Sequence, residues 1–184
     1  MDKSVQRSNQ TEGGFENILP EILDGEQETL TREGKYLTFS LGNEEYGIYI
    51  LKIKEIMGMM PITSVPQTPD FVKGVINLRG KVIPVVDLRL KFGMEPVEYT
   101  DRTCIVVVEI SDKNTNILIG CVVDSVSEVL SIKEDDIEDT PEFGSRVDTD
   151  YLLGMAKLNH GVKILLDIGK VLSADEVKLV KKMN

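Results

Sequence analysis

The 184-residue sequence lacks most of what a reaction centre is built from: it has one histidine and two cysteines. With one imidazole there is no catalytic constellation to assemble, and no cysteine–histidine spacing resembles a zinc site. No glycine-rich loop followed by Lys and Ser or Thr is present to cradle phosphate, and Gly13-Gly14 does not follow a strand. Asp135, Asp136, Glu138 and Asp139 crowd together without the spaced loop and closing glutamate of a calcium hand. His160 stands beside a turn glycine and reads as a solvated loop residue. Cys104 and Cys121 lie inside apolar runs and read as small buried hydrophobes. The expectation is a chain with no catalytic residue, no metal and no cofactor.

Two further absences narrow the setting. No window approaches the ~20 apolar residues of a membrane span, and residues 1–17 are polar and mixed in charge, unlike a signal peptide. A cytoplasmic protein with reduced thiols and no direct membrane insertion is expected. Basic surface is also scarce: 21 Lys and Arg face 31 Asp and Glu, a net charge of −10. Binding to phosphate backbones relies on Lys and Arg releasing counterions, so nucleic acid is disfavoured. The acidity is concentrated in residues 109–150, which hold twelve acids and three bases. That stretch reads as a solvated acidic loop or, less commonly, as a face that steers a basic partner.

What the chain does contain, it contains twice. Gly47 precedes Glu55 by eight residues, and Gly120 precedes Glu128 by the same eight, an offset of 73. Thr68-Pro69-Asp70-Phe71 recurs as Thr140-Pro141-Glu142-Phe143 at an offset of 72, and Asp87 recurs as Asp167 at 80. An offset that jumps once marks two homologous units, the second carrying an insertion after Phe143. Two units make a duplication, since a solenoid needs at least three.

Each copy reads as short strands separated by turns. Leu37, Phe39 and Leu41 alternate with Thr38 and Ser40, the period of a half-buried strand. Gly42-Asn43 suits a hairpin turn, and Leu51–Met60 reads as extended. Pro61, Pro66 and Pro69 exclude a long helix. Val72–Leu78 and Lys81–Val86 form a hairpin in which Pro84 calls for an edge or a bulge. A helical turn follows from Asp87 to Phe92, ended by Gly93. In the second copy Thr103–Ile110 and Ile117–Val123 are strands, Ser125–Ile132 continues the chain, and Lys133–Asp139 is an acidic loop. The insertion, Gly144–Tyr151, reads as a surface excursion. Leu158–Ile168 repeats the hairpin. Ser173 and Glu176 form a capping box ahead of Val177, Val180 and Met183, so residues 173–184 read as a C-terminal helix. Residues 1–34 read as a flexible acidic tail that buries too little apolar surface to order. The whole is all-β: two small antiparallel barrels packed together, about 35–100 and 101–172, with short helical segments.

One corner stands out. In Asn77-Leu78-Arg79-Gly80, glycine supplies a positive backbone angle and Asn77 can bond its neighbouring backbone. Arg79 then projects a guanidinium fork suited equally to a local acid or to a carboxylate on a partner. Glu55 has the same two readings. Met57, Met59 and Met60 supply adaptable apolar surface, for a contact patch or for ordinary core.

The stretches Gly42-Asn-Glu-Glu-Tyr-Gly-Ile48, Ile53-Lys-Glu-Ile56, Phe71-Val-Lys-Gly-Val-Ile-Asn-Leu-Arg-Gly80 and Ile83-Pro-Val-Val-Asp-Leu-Arg89 resemble CheW, the chemotaxis coupling family. The resemblance covers roughly Tyr36 to Leu172. It implies two five-stranded SH3-like barrels and a non-enzymatic adaptor, monomeric in isolation, that joins chemoreceptor tips to the regulatory domain of the histidine kinase CheA in membrane-associated arrays. It also implies a receptor-facing groove at Ile53, Glu55, Gly74 and Arg79, and kinase contacts at Ile62, Glu142 and Phe143. Glu138 stands where one member of the family carries a basic residue, which puts the charge complementarity of the second kinase contact in question. A regulatory module cut from a related signalling protein is an alternative within the same class, and a small-ligand-binding barrel is an alternative from another.

Overall fold

A computed structural model describes residues 31–141 and 149–184, and Arg32–Asn184 form one compact unit. The first copy supplies β1 (Gly34–Leu41), β2 (Glu44–Tyr49), β3 (Ile53–Gly58), β4 (Val72–Leu78) and β5 (Lys81–Asp87). The second supplies β6 (Cys104–Asp112), β7 (Thr115–Val123), β8 (Ser125–Ile132), β9 (Ile137–Glu138), β10 (Leu152–Leu158) and β11 (Gly161–Leu166). Helix α1 is Leu88–Lys91 and α2 is Ala174–Lys181. The all-β reading holds. The stretch from Leu51 begins with a 3-10 turn at Ile50–Lys52 before β3 extends. Asp87 caps α1 through its side chain, and Gly93 takes a φ of +73° behind it.

The strands do not sort by copy, as a split at 35–100 and 101–172 had them. The six-stranded sheet runs β8-β1-β2-β11-β10-β9, and the five-stranded sheet runs β3-β6-β7-β5-β4. Each copy therefore gives its first hairpin to the sheet built around the other copy's closing hairpin. Pairing is antiparallel except for one parallel contact per sheet: Val85 opposite Gly120 on β5 and β7, and Leu165 opposite Gly47 on β11 and β2. A Cβ on Gly47 would come within 2.9 Å of Leu165, and one on Gly120 within 2.9 Å of Ile105 and 3.5 Å of Val85. At Gly47 the crowding comes from the strand that crosses over from the other copy, and at Gly120 it comes from Ile105 of the same copy. The repeat offset alone identifies the hairpins but not their partners, since both copies carry the same framework at the same spacing.

This exchange explains the continuous apolar run in β6. Val106, Val108 and Ile110 face a central core shared by both sheets, with Phe39, Leu41, Ile119 and Leu166. Ile105 and Val107 face the other way, into the interior of the five-stranded sheet with Ile76, Ile83 and Val85. A third cluster, including Tyr36, Ile132 and Leu165, fills the six-stranded sheet. With both faces covered, each of these side chains contributes about 1.5–3 kcal/mol of burial. Cys121 belongs to the central core, where burial pushes its thiol up to about 12 and leaves it inert. Pro84 lies on β5 between β7 and β4, not at an edge. Its neighbour Val85 starts the parallel pairing, and the bulge between Val72 and Gly74 lies across the hairpin.

Polar clasps lock the halves together. Asp124 accepts from Arg89 (2.6 Å) and from the Gly42 amide (2.7 Å), and its own amide donates to Ser40. The α2 capping box forms as read, and Val177 and Val180 are buried. Lys91 reaches Glu176 at 2.8 Å and Lys181 reaches Asp112 at 2.7 Å, so both ends of α2 are tied. The tail reading for 1–34 lies outside the described residues up to residue 30. At its end, Arg32 is fixed rather than free, donating to both Glu134 and Asp139 and to the Leu153 carbonyl.

Asp124→Ala should lower the urea unfolding free energy by on the order of 2 kcal/mol, because it strands the largely buried Arg89 and a turn amide together. Arg32 holds the Glu134 carboxyl below its ordinary 4.5. A depressed carboxylate contributes stability above that value and loses it as pH falls through the folded-state value. Glu134→Gln should flatten the decline in urea midpoint as pH falls below 4.5.

Candidate functional site

The β4–β5 hairpin closes through a two-residue turn, Arg79-Gly80, with φ of +51° and +84°. Positive angles at both residues define the mirror-image turn whose twist matches paired strands. The sequence reading gave the positive angle to Gly80 alone, but Arg79 shares it. Asn77 braces the corner, its side-chain oxygen accepting from the Gly80 amide at 2.9 Å. A left-handed conformation costs a non-glycine residue roughly 1–2 kcal/mol.

That conformation aims the guanidinium at β3. Arg79 Nη1 donates to Glu55 Oε2 at 2.9 Å and Nη2 to Oε1 at 2.6 Å, a two-pronged pair. Those hydrogen bonds raise the arginine further above its ordinary range. The side chain of Arg79 is 74% exposed and that of Glu55 is 29% exposed. Solvent screens a pair this exposed, so it adds little to stability. A strained, exposed residue of this kind is a frequent mark of a functional position. Both open readings of Arg79 and Glu55 thus meet in one contact, a local pair with a solvent-facing side.

Beneath this rim lies a groove of about 460 Å³ lined by Leu78, Ile83, Val107 and Leu118, with Lys54 and Glu109 paired at its flank at 3.7 Å. Val107 and Leu118 come from the second copy, so the groove exists only because the hairpins are exchanged. Neither residue was singled out from sequence. Both lie in continuous apolar runs, so the chain says neither which face they take nor which interior they enter.

The other proposed residues separate by role. Ile53 is half-buried and packs against the central core across a bulge from Glu55. Gly74 is buried at a φ of +137°, and a Cβ there would overlap the Thr63 carbonyl. Thr63 and Val75 exchange two backbone hydrogen bonds of 2.9 Å over it, pinning the proline-rich loop to β4. Gly74 therefore shapes the hairpin without offering a side chain. Ile62 is half-buried against the interior of the five-stranded sheet beside Met57, Met59 and Met60. Glu142 and Phe143 lie outside the described residues. The second copy's corner, Asn159-His160, is exposed and has no positive φ. Among the described residues no group of three His, Cys, Asp or Glu is placed to hold a metal ion.

A model of the CheW-like domain matches residues 35–176. The chain belongs to the CheW-like family. It is 45% identical over 153 residues to the chemotaxis protein CheW of Klebsiella aerogenes, covering 83% of this chain and 89% of that one. It is 34% identical over 168 residues to the chemotaxis protein CheW of Helicobacter pylori, covering 91% and 99%. The crystal structure of scaffolding protein TtCheW from Thermoanaerobacter tengcongensis matches with a TM-score of 0.68 at 35% identity, covering 78% of this chain and 95% of that one. The two sheets are the SH3-like barrels of this family, and the chain is a chemotaxis adaptor and not an enzyme.

Arg79→Asn should keep the left-handed turn while removing the fork, leaving the urea midpoint unchanged or slightly raised. Arg79→Val, β-branched at the same φ, should lower the midpoint in the same measurement, because β-branching makes a positive φ costlier still.

Proposed function

We propose that this CheW-like protein couples the cytoplasmic tips of chemoreceptors to the histidine kinase CheA and lets receptor state control kinase autophosphorylation. The observation that carries the receptor half is the Arg79–Glu55 fork, held in a strained turn above an apolar groove. A rigid charged rim beside an apolar floor fits the apolar face of a receptor helix, the helix-in-groove mode. Glu55 and Arg79 make the direct contact in this reading, while Ile53 and Gly74 hold β3 and β4 in place around it. The kinase half rests on Ile62, Glu142 and Phe143 and on the family resemblance.

The mechanism is one of geometry. Two barrels locked by a shared core present separate faces, so receptor and kinase are held at a fixed spacing. Holding them together raises their effective concentration and couples their conformational equilibria. Among the described residues no helix is long and apolar enough to cross a membrane. Recruitment to membrane-borne arrays then comes through the receptor contact.

Adding the protein to receptor-bearing membranes and CheA should change ATP-dependent kinase phosphorylation, and an unchanged output would defeat the coupling. Arg79→Glu places like charges side by side and should weaken receptor binding about tenfold, or 1.4 kcal/mol, while leaving affinity for the isolated kinase regulatory domain unaltered. Phe143→Ser should do the reverse in a pull-down with that domain.

A further inference from the structure

The duplication allows the same place to be compared in both barrels. The offsets of 80 and 73 carry Ile83 onto Lys163 and Leu118 onto Glu45. The sheet registers agree, because Lys163 lies opposite Glu45 two residues before the Leu165–Gly47 crossing. Ile83 and Leu118 hold the matching positions before Val85–Gly120. In the five-stranded barrel these two side chains are apolar and line the groove under the Arg79–Glu55 rim. In the six-stranded barrel Lys163 is paired with Glu45, and Ser127 Oγ donates to Glu45 Oε1 at 3.2 Å. Lys163 is only 8% exposed, so its ammonium is bound inside the barrel mouth and not in solvent.

The rim differs in the same sense. Glu128, the counterpart of Glu55, forms no ion pair among the described residues, and Asn159 stands in the place of Arg79. A charge pair inside a barrel mouth is a poor choice for stability alone, since apolar residues of similar volume are often neutral or better. It is an effective device for exclusion, because an apolar segment entering there would have to separate or desolvate the pair.

We infer that the Lys163–Glu45 pair seals the second barrel mouth against the apolar helix face that the first barrel accepts, making the adaptor one-sided for its receptor. This rests on the receptor reading of the Arg79–Glu55 groove. The second copy is thereby released for a different partner while keeping the duplicated frame.

Two double variants test it in the full-length protein, each exchanging the paired residues between copies. Glu45→Leu with Lys163→Ile should fold with an undiminished urea midpoint and raise the fluorescence of the apolar dye ANS at least twofold over wild type. Dye fluorescence equal to wild type would overturn the seal. Ile83→Lys with Leu118→Glu carries the seal into the first barrel and should reduce affinity for a soluble receptor cytoplasmic fragment at least tenfold. Binding within twofold of wild type would overturn the inference. Should this variant fail to unfold cooperatively, Leu118→Glu alone, at a half-buried position, is measured with the same expected direction and the same overturning result. If wild type itself does not bind the fragment, the receptor reading falls, while the dye measurement still decides whether the pair seals the mouth.

Discussion

The fold depends on two parallel strand contacts, Val85 against Gly120 and Leu165 against Gly47. At each, the closing strand of one copy lies against the glycine-bearing strand of the other; a Cβ on Gly47 would press on Leu165 across that contact, and one on Gly120 would press on Ile105 of the neighbouring strand β6. Because the contacts are reciprocal, neither copy can complete its sheet without its partner. The strands between them acquire two buried faces, one toward a private interior and one toward the shared core. This is why Ile105 to Val108 can be apolar without interruption in a protein that is acidic overall.

Polar interactions then fix the crossing against slippage. Asp124 gathers Arg89, the Gly42 amide and the Ser40 carbonyl into one clasp between elements far apart in sequence. Lys91–Glu176 and Lys181–Asp112 fasten α2 over the same core. Against this rigid frame the Arg79 turn can hold its unfavourable backbone angle, since the hairpin, the Asn77 brace and the Thr63 bridge over Gly74 all constrain it. The strain sits at a surface corner, and burial elsewhere compensates for it.

The two copies share a frame but not a surface chemistry. One barrel mouth is apolar with a charged, exposed rim, and its counterpart is filled by an internal ion pair. Duplication supplied two equivalent mouths, and substitution at a few equivalent positions made them unequal. For an adaptor proposed to hold two different proteins together that inequality matters, because two identical faces would recruit two copies of the same partner.

Much was legible in the chain itself. Alternation at Leu37, Phe39 and Leu41, the Ser173–Glu176 capping box, the Asp87 turn closed by Gly93 and the Asn77–Gly80 corner are local features. Local features follow from backbone angles and short-range hydrogen bonds. The repeat of Gly47 and Glu55 at a constant offset revealed two units, and the Gly74–Arg89 stretch carried the family. The sequence did not reveal that the hairpins exchange, that Val107 and Leu118 line a groove beside Arg79, or that Lys163 closes the opposite mouth. Those depend on which of two pairings of similar framework the chain adopts. A repeated sequence offers both pairings, and burial of a common core decides between them only when all the strands are in place.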